Sequence, residues 1–201
     1  SRGLGDVYKR QHMEGFFLRG REQITPLLAS LIPQGASVGC GDSVTLEQLG
    51  VFDFLRKGGY RFHDKFRPGL TREEKRELYL ANFTTDTFVT GTNAITTGGL
   101  LVNIDGNGSR VAPMLYGPRQ VIVIAGTNKL TEGLDEAVAR ARNTAAPLDA
   151  KHLGKDTPCV KLGKCADCRS PQRICNDFVV IAGQFTENRI KVLLLDEPLG
   201  F

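Results

Sequence analysis

The sequence predicts an α/β protein, built on a Rossmann-like, mostly parallel sheet with helices on both faces. Three observations carry this. Five short apolar runs, largely β-branched, read as strands of one central sheet: Ser37–Gly39, Phe88–Thr90, Val121–Ile124, Phe178–Ile181 and Val192–Leu195. Helical patterns separate these runs, and strands that alternate with helices pair in parallel through crossovers. Val121-Ile122-Val123-Ile124 has no polar alternation, as expected of a strand covered on both faces.

Taken in order, residues 1–11 show no convincing amphipathic pattern. They resemble a translated sequencing adaptor and are expected to be non-native, which leaves 12–201 as one domain. A helix is expected from Arg21 to Leu31, stopped by the turn signal Pro33-Gln34-Gly35. Ala36–Cys40 reads as a short buried strand that runs through Gly41-Asp42-Ser43 into a second helix. The apolar face of that helix is Leu46, Leu49, Phe52 and Leu55. Thr71-Arg72-Glu73-Glu74 is a capping box opening a helix to about Asn82, whose charged side reads as a solvated face. Thr87–Thr90 is a strand, Gly98-Gly99 a turn, and Leu100–Ile104 another strand. Leu134, Ala137, Val138, Ala141 and Ala145 then mark the buried side of a helix that Pro147 should end.

Composition narrows the function classes. A chain of 201 residues buries a sizeable core without disulfides. Its net charge of +4 comes from intermixed acids and bases, without the basic stripe and stacking aromatics of a nucleic-acid surface. No run approaches the ~18 apolar residues of a membrane helix. No secretory pattern is visible either, so the chain reads as cytoplasmic.

Four of the five cysteines crowd into one segment, at 157–177, spaced C-x5-C-x2-C-x6-C: Cys159, Cys165, Cys168 and Cys175. In a reducing compartment such thiols serve metals or redox chemistry more readily than disulfides. Pro158, Gly163 and Pro171 supply turns for wrapping a loop around one centre. Zinc usually recruits two separated C-x2-C knuckles. One compact loop with a single C-x2-C pair is closer to an all-thiolate [4Fe–4S] cluster, although the ferredoxin spacing is absent. The four sulfurs are therefore expected to converge on one metal centre, an iron–sulfur cluster, with zinc as the alternative.

Two Gly-rich polar segments follow expected strands. Gly39-Cys40-Gly41-Asp42-Ser43-Val44-Thr45 could bind phosphate or carboxylate at a helix start, or could simply be a tight turn with a helix cap. Cys40 within it reads as a small buried hydrophobe, with a reactive thiol as the alternative. The second segment joins Thr90–Ile95 to Asn103–Arg110. Its amides, carboxylate and glycines suit either a ligand site beyond the strand ends or a pair of turns. Arg110 stands out as a group for bidentate anion binding. His12, His63 and His152 are scattered, and no acid–base owner is visible.

Long motifs resemble the lactate-utilisation (LUD) domain family. They include Ser37-Val38-Gly39 through Val44-Thr45-Leu46-Glu47, Gly69-Leu70-Thr71-Arg72-Glu73-Glu74 and Thr92-Asn93-Ala94-Ile95. Asp105-Gly106-Asn107-Gly108-Ser109-Arg110-Val111-Ala112 is another. The segment from Thr157-Pro158-Cys159 to Ile174-Cys175-Asn176 resembles the family's cysteine-containing bacterial members. The resemblance implies a fold similar to the sugar-phosphate isomerase and CoA-transferase group. It also implies a link to bacterial L-lactate oxidation, through an operon that encodes iron–sulfur proteins. Carried over by position, the ligand site is Gly39, Gly41, Ser43 and Thr45 with Asn93, Asp105, Asn107 and Arg110. Related isomerases place an acid where this chain has Asn93, and the glutamate motif of CoA transferases is missing. Two functions are expected. One is an accessory or redox component of organic-acid oxidation that binds a small anion and an iron–sulfur centre, with iron–sulfur or redox proteins as partners. The other is a non-redox ligand-binding or isomerase-type protein with structural zinc.

Overall fold

The computed structural model describes residues 2–201. In chain order the elements are α1 (Arg2–Arg10), β1 (Glu14–Leu18), α2 (Ile24–Leu31), β2 (Ser37–Cys40), α3 (Val44–Gln48), α4 (Val51–Lys57) and β3 (Arg61–Phe62). Then come α5 (Arg72–Ala81), β4 (Thr87–Thr90), β5 (Ala94–Thr96), β6 (Leu101–Asp105), α6 (Val111–Leu115), β7 (Gln120–Gly126) and β8 (Leu130–Thr131). The last are α7 (Leu134–Arg140), α8 (Ala146–His152), α9 (Pro158–Leu162), β9 (Asp177–Ile181) and β10 (Ile190–Leu195).

The central sheet has the order β1-β10-β7-β4-β2-β3, and every neighbouring pair is parallel. Its inner strands carry long apolar runs because successive side chains enter different cores. Ile122, Ile124, Leu193 and Leu195 pack with Leu28, Leu46 and Leu55 on the α2–α4 side. Val121, Val123, Val192 and Leu194 pack with Tyr8, Val111 and Met114 on the other. Helices therefore cover both faces, as the unbroken apolar runs require.

Several elements differ from the sequence reading. Phe178–Ile181 lies in a second sheet, of order β8-β5-β6-β9, where β9 runs antiparallel to β6. Phe178 and Val180 are exposed on this edge strand while Ile181 is buried, a one-sided pattern that an apolar run conceals. The helix read through Leu46–Leu55 breaks at Gly50, whose φ of 66° ends α3 and starts α4. Residues 2–10, where no amphipathic element was legible, form a helix that buries Tyr8 completely. Gly3 and Gly5 obscure it by lowering helix propensity. The Thr71 capping box forms as expected, with Glu74 N–H donating to Thr71 Oγ1 and Thr71 N–H to Glu74 Oε2.

Pro147 does not end its helix. Residues Ala141–Ala145 widen into one π-helical turn, and α8 starts beyond it with the proline at its beginning. A proline lacks an N–H and crowds the carbonyl four residues back, so widening the preceding turn lets the helix continue. The extra turns carry Asp149 and His152.

Candidate functional site

Parallel strands end on one edge of a sheet, so the loops leaving β2, β4, β7 and β10 gather there. They wall a cleft of about 550 Å³ together with the β6–α6 loop, α8 and the chain beyond α8. Of the residues marked from sequence, Ser43, Thr45, Asn93, Asp105, Asn107 and Arg110 lie on this wall. The two polar segments thus share one cleft.

Gly39 and Gly41 do not line it. Gly39 sits within β2, where a Cβ would meet the Asn82 amide oxygen at 2.2 Å and the Phe88 ring at 3.3 Å. Gly41 makes room for Thr90 Oγ1 and for the Arg110 stem, 2.5 and 2.9 Å from its would-be Cβ. Both glycines serve packing behind the wall. Gly39→Ala is expected to cost about 1–3 kcal/mol in urea unfolding, since the buried Asn82 amide must shift to make room. An unchanged midpoint would show that Asn82 can move at no cost.

Arg110 is committed elsewhere than to a ligand. One terminal nitrogen donates to Asn103 Oδ1 (2.7 Å) and Gly91 O (3.3 Å), the other to Ile104 O (2.8 Å) and Asn93 Oδ1 (2.9 Å). All four terminal N–H bonds have acceptors, and the guanidinium ties β4, β6 and their loops together. Asp105 is spent likewise. Its carboxylate accepts backbone N–H bonds from Gly106, Asn107, Arg110 and Val111. Asn107 accepts from Ser109 N–H. For these side chains the turn reading prevails.

The groups left for a ligand are mostly ones the sequence did not flag. Lys129 follows β7, is 4% exposed, and donates to Thr45 Oγ1 and Thr92 O, each at 3.0 Å. No carboxylate lies within salt-bridge distance of it among the described residues. Burial, with Arg140 and Arg110 nearby, pushes its ammonium down to about 7. Asp149 on α8 shares the cleft, and burial raises its carboxyl above the usual range. His152, Tyr79, Lys155 and Arg173 complete the polar wall. Asp42 is held by Lys65, with Nζ to Oδ2 at 3.1 Å. Cys40 is buried, and desolvation pushes its thiol up to about 12, so it behaves as a small hydrophobe.

Cys159, Cys165, Cys168 and Cys175 line one small cavity of about 20 Å³, with Arg142, Asp167, Arg173 and Phe178. Cys165 Sγ accepts from Asp167 N–H at 3.4 Å and Arg142 Nη2 at 3.9 Å. Arg173 donates to the carbonyls of Cys168 and Cys175, pinning the loop. These donors and cations suit metal-bound thiolates. Yet among the described residues no three Cys, His, Asp or Glu groups close to metal-ligand geometry. The four thiols share a cavity, which falls short of the convergence on one centre that the spacing led us to expect.

Among the described residues, no helix is long and apolar enough to cross a membrane. A DUF162 family protein from Deinococcus radiodurans has a similar structure, with TM-score 0.53 and 10% identity over 96% of this chain and 94% of that one. eIF2B beta from Chaetomium thermophilum matches with TM-score 0.39 and 15% identity, over 58% of this chain and 44% of its own. Ribose 5-phosphate isomerase from Plasmodium falciparum matches with TM-score 0.35 and 16% identity, over 56% and 52%. No curated protein matches the sequence. The LUD domain profile matches residues 5–195, almost the whole chain, and the protein therefore belongs to the LUD domain family.

Proposed function

We propose that the protein is an accessory or redox component of bacterial organic-acid oxidation, acting in the cytoplasm. It binds a small carboxylic acid in the cleft and a thiolate-held metal centre at Cys159, Cys165, Cys168 and Cys175. The observation that carries this reading is Arg173, which lines both the cleft and the cysteine cavity. Its guanidinium would set a positive charge beside both a bound acid and a metal–thiolate group. Membership of the family and the cationic groups of the cleft, Lys155 and Arg173, favour an anionic ligand.

An iron–sulfur centre at the cysteines would supply electron transfer. The four thiols would hold it, while N–H bonds to Cys165 and the charges of Arg142 and Arg173 would tune it. One observation favours the second reading, structural zinc: a cavity of about 20 Å³ holds a single atom-sized guest as it stands. Purification without oxygen separates the two. Brown protein containing iron and sulfide, with iron lost in Cys165→Ser, is the expected result. Colourless protein carrying one zinc and no sulfide would overturn the redox role and leave the zinc reading.

A further inference from the structure

We infer that Lys129 is a nucleophilic amine that forms an imine with 2-oxo acids bound in the cleft, with Asp149 as the proton donor that expels water. The substrate class rests on the acid-binding reading above; the amine chemistry rests on the geometry of Lys129 itself.

A buried ammonium needs a partner anion, or it gives up its proton. Lys129 has no carboxylate within salt-bridge reach among the described residues. Its hydrogen-bond partners are both neutral oxygens, Thr45 Oγ1 and Thr92 O. Thr45 in turn donates its hydroxyl hydrogen to Leu199 O at 3.4 Å, which leaves a lone pair aimed at the amine. A neutral amine has two hydrogens and one lone pair. Here both hydrogens are taken, so the lone pair is the part left for a ligand, and Lys129 lies on the cleft wall. The cations nearby, Arg110 and Arg140, oppose protonation, and the amine is largely neutral above about pH 7.

Imine formation needs an acid as well as an amine. Asp149 shares the cleft wall with Lys129, and burial raises its affinity for a proton; its charge favours the Lys129 ammonium but is outweighed there by desolvation and the two arginines. Asp42 is neutralised by Lys65, Asp105 is occupied by backbone N–H groups and Glu47 is exposed to water, so none of them shares the buried setting of Asp149.

The steps balance as follows. The Lys129 lone pair attacks the carbonyl carbon, the C=O π bond breaks, and a proton passes from nitrogen to oxygen to give a carbinolamine. The nitrogen lone pair then forms C=N while the C–O bond breaks. Asp149 gives its proton to the departing hydroxyl, which leaves as water. The products are an iminium ion, water and the Asp149 carboxylate, whose charge offsets the new cation. No oxidant or reductant takes part.

The test uses the full chain and pyruvate as the probe, at pH 7.5, with borohydride to reduce any imine and peptide mass spectrometry to locate it. The expected result is one stable adduct on Lys129, ahead of all exposed lysines, and none there in Lys129→Met. Asp149→Asn should slow trapping about a hundred-fold or more, the scale of a lost general acid, while calorimetry shows pyruvate still bound. If pyruvate binds by calorimetry and Lys129 carries no adduct, the imine falls and the acid-binding reading stands. If pyruvate neither binds nor reacts, both fall. Adducts spread over surface lysines, with Lys129 unmodified, also overturn the proposal.

Discussion

Arg110→Ala is expected to destabilise the protein by about 3–5 kcal/mol, and the cause lies within the protein itself. The substitution strands four acceptors, the carbonyls of Gly91 and Ile104 and the side-chain oxygens of Asn93 and Asn103. Asn103 is wholly buried, so its oxygen regains a partner only if water enters from the cleft into the space the guanidinium leaves. The Asp105 carboxylate, 3.9 Å from the guanidinium, loses its nearest cation as well. For a domain of this size the loss corresponds to a fall in Tm of roughly 6–20 °C. Urea unfolding gives the same quantity as a shift in midpoint. A loss under about 1 kcal/mol, with acid binding abolished, would return Arg110 to the role of a ligand group.

Lys129→Met is expected to act in the opposite direction. Unfolded, a lysine holds its proton to about pH 10; in the fold, burial lets Lys129 release it at about 7. Between those values the unfolded chain binds more protons, so stability rises with pH through that window. Below it the whole cost of burying the charge is present, on the order of 4 kcal/mol for about three units. Methionine removes that cost but leaves Thr92 O without its donor, which costs about 1–3 kcal/mol. The net expectation at pH 7 is a gain on the order of 2 kcal/mol, together with loss of the slope between pH 7 and 10. Urea midpoints for both proteins at pH 7 and 9 check it. Parallel pH profiles would mean that the lysine keeps its proton in the fold.

The sequence carried the central sheet well because strands buried on both faces leave a strong mark, as Val121–Ile124 and Val192–Leu195 do. It carried the second sheet poorly. β5 and β8 span only Ala94–Thr96 and Leu130–Thr131, too short for any period to register. The cleft was half legible. Turn chemistry and ligand chemistry use the same residue types, so Asp105, Asn107 and Arg110 drew attention although they bond to the backbone and asparagine side chains around them. Lys129 and Asp149 sit among ordinary helix and loop residues. A signal for Lys129 did exist: it lies three residues past a buried strand of a parallel sheet, on the edge where such loops collect. Asp149 had none, because its position depends on the helix surviving Pro147 through a π-turn.

The cysteine loop is strung between the two walls of the cleft. It leaves the end of α8, which carries Asp149 and His152, and returns into β9, where Asp177 pairs with Asp105 at the end of β6. Whatever draws Cys159 to Cys175 therefore shortens a tether whose ends are those walls. A guest in the cysteine cavity would therefore also bear on the spacing of the cleft walls. Linkage is reciprocal, so an acid that clamps the walls tightens the cavity's hold on its guest by the same factor. Were both sites filled, each would report on the other through this tether, without a change of fold.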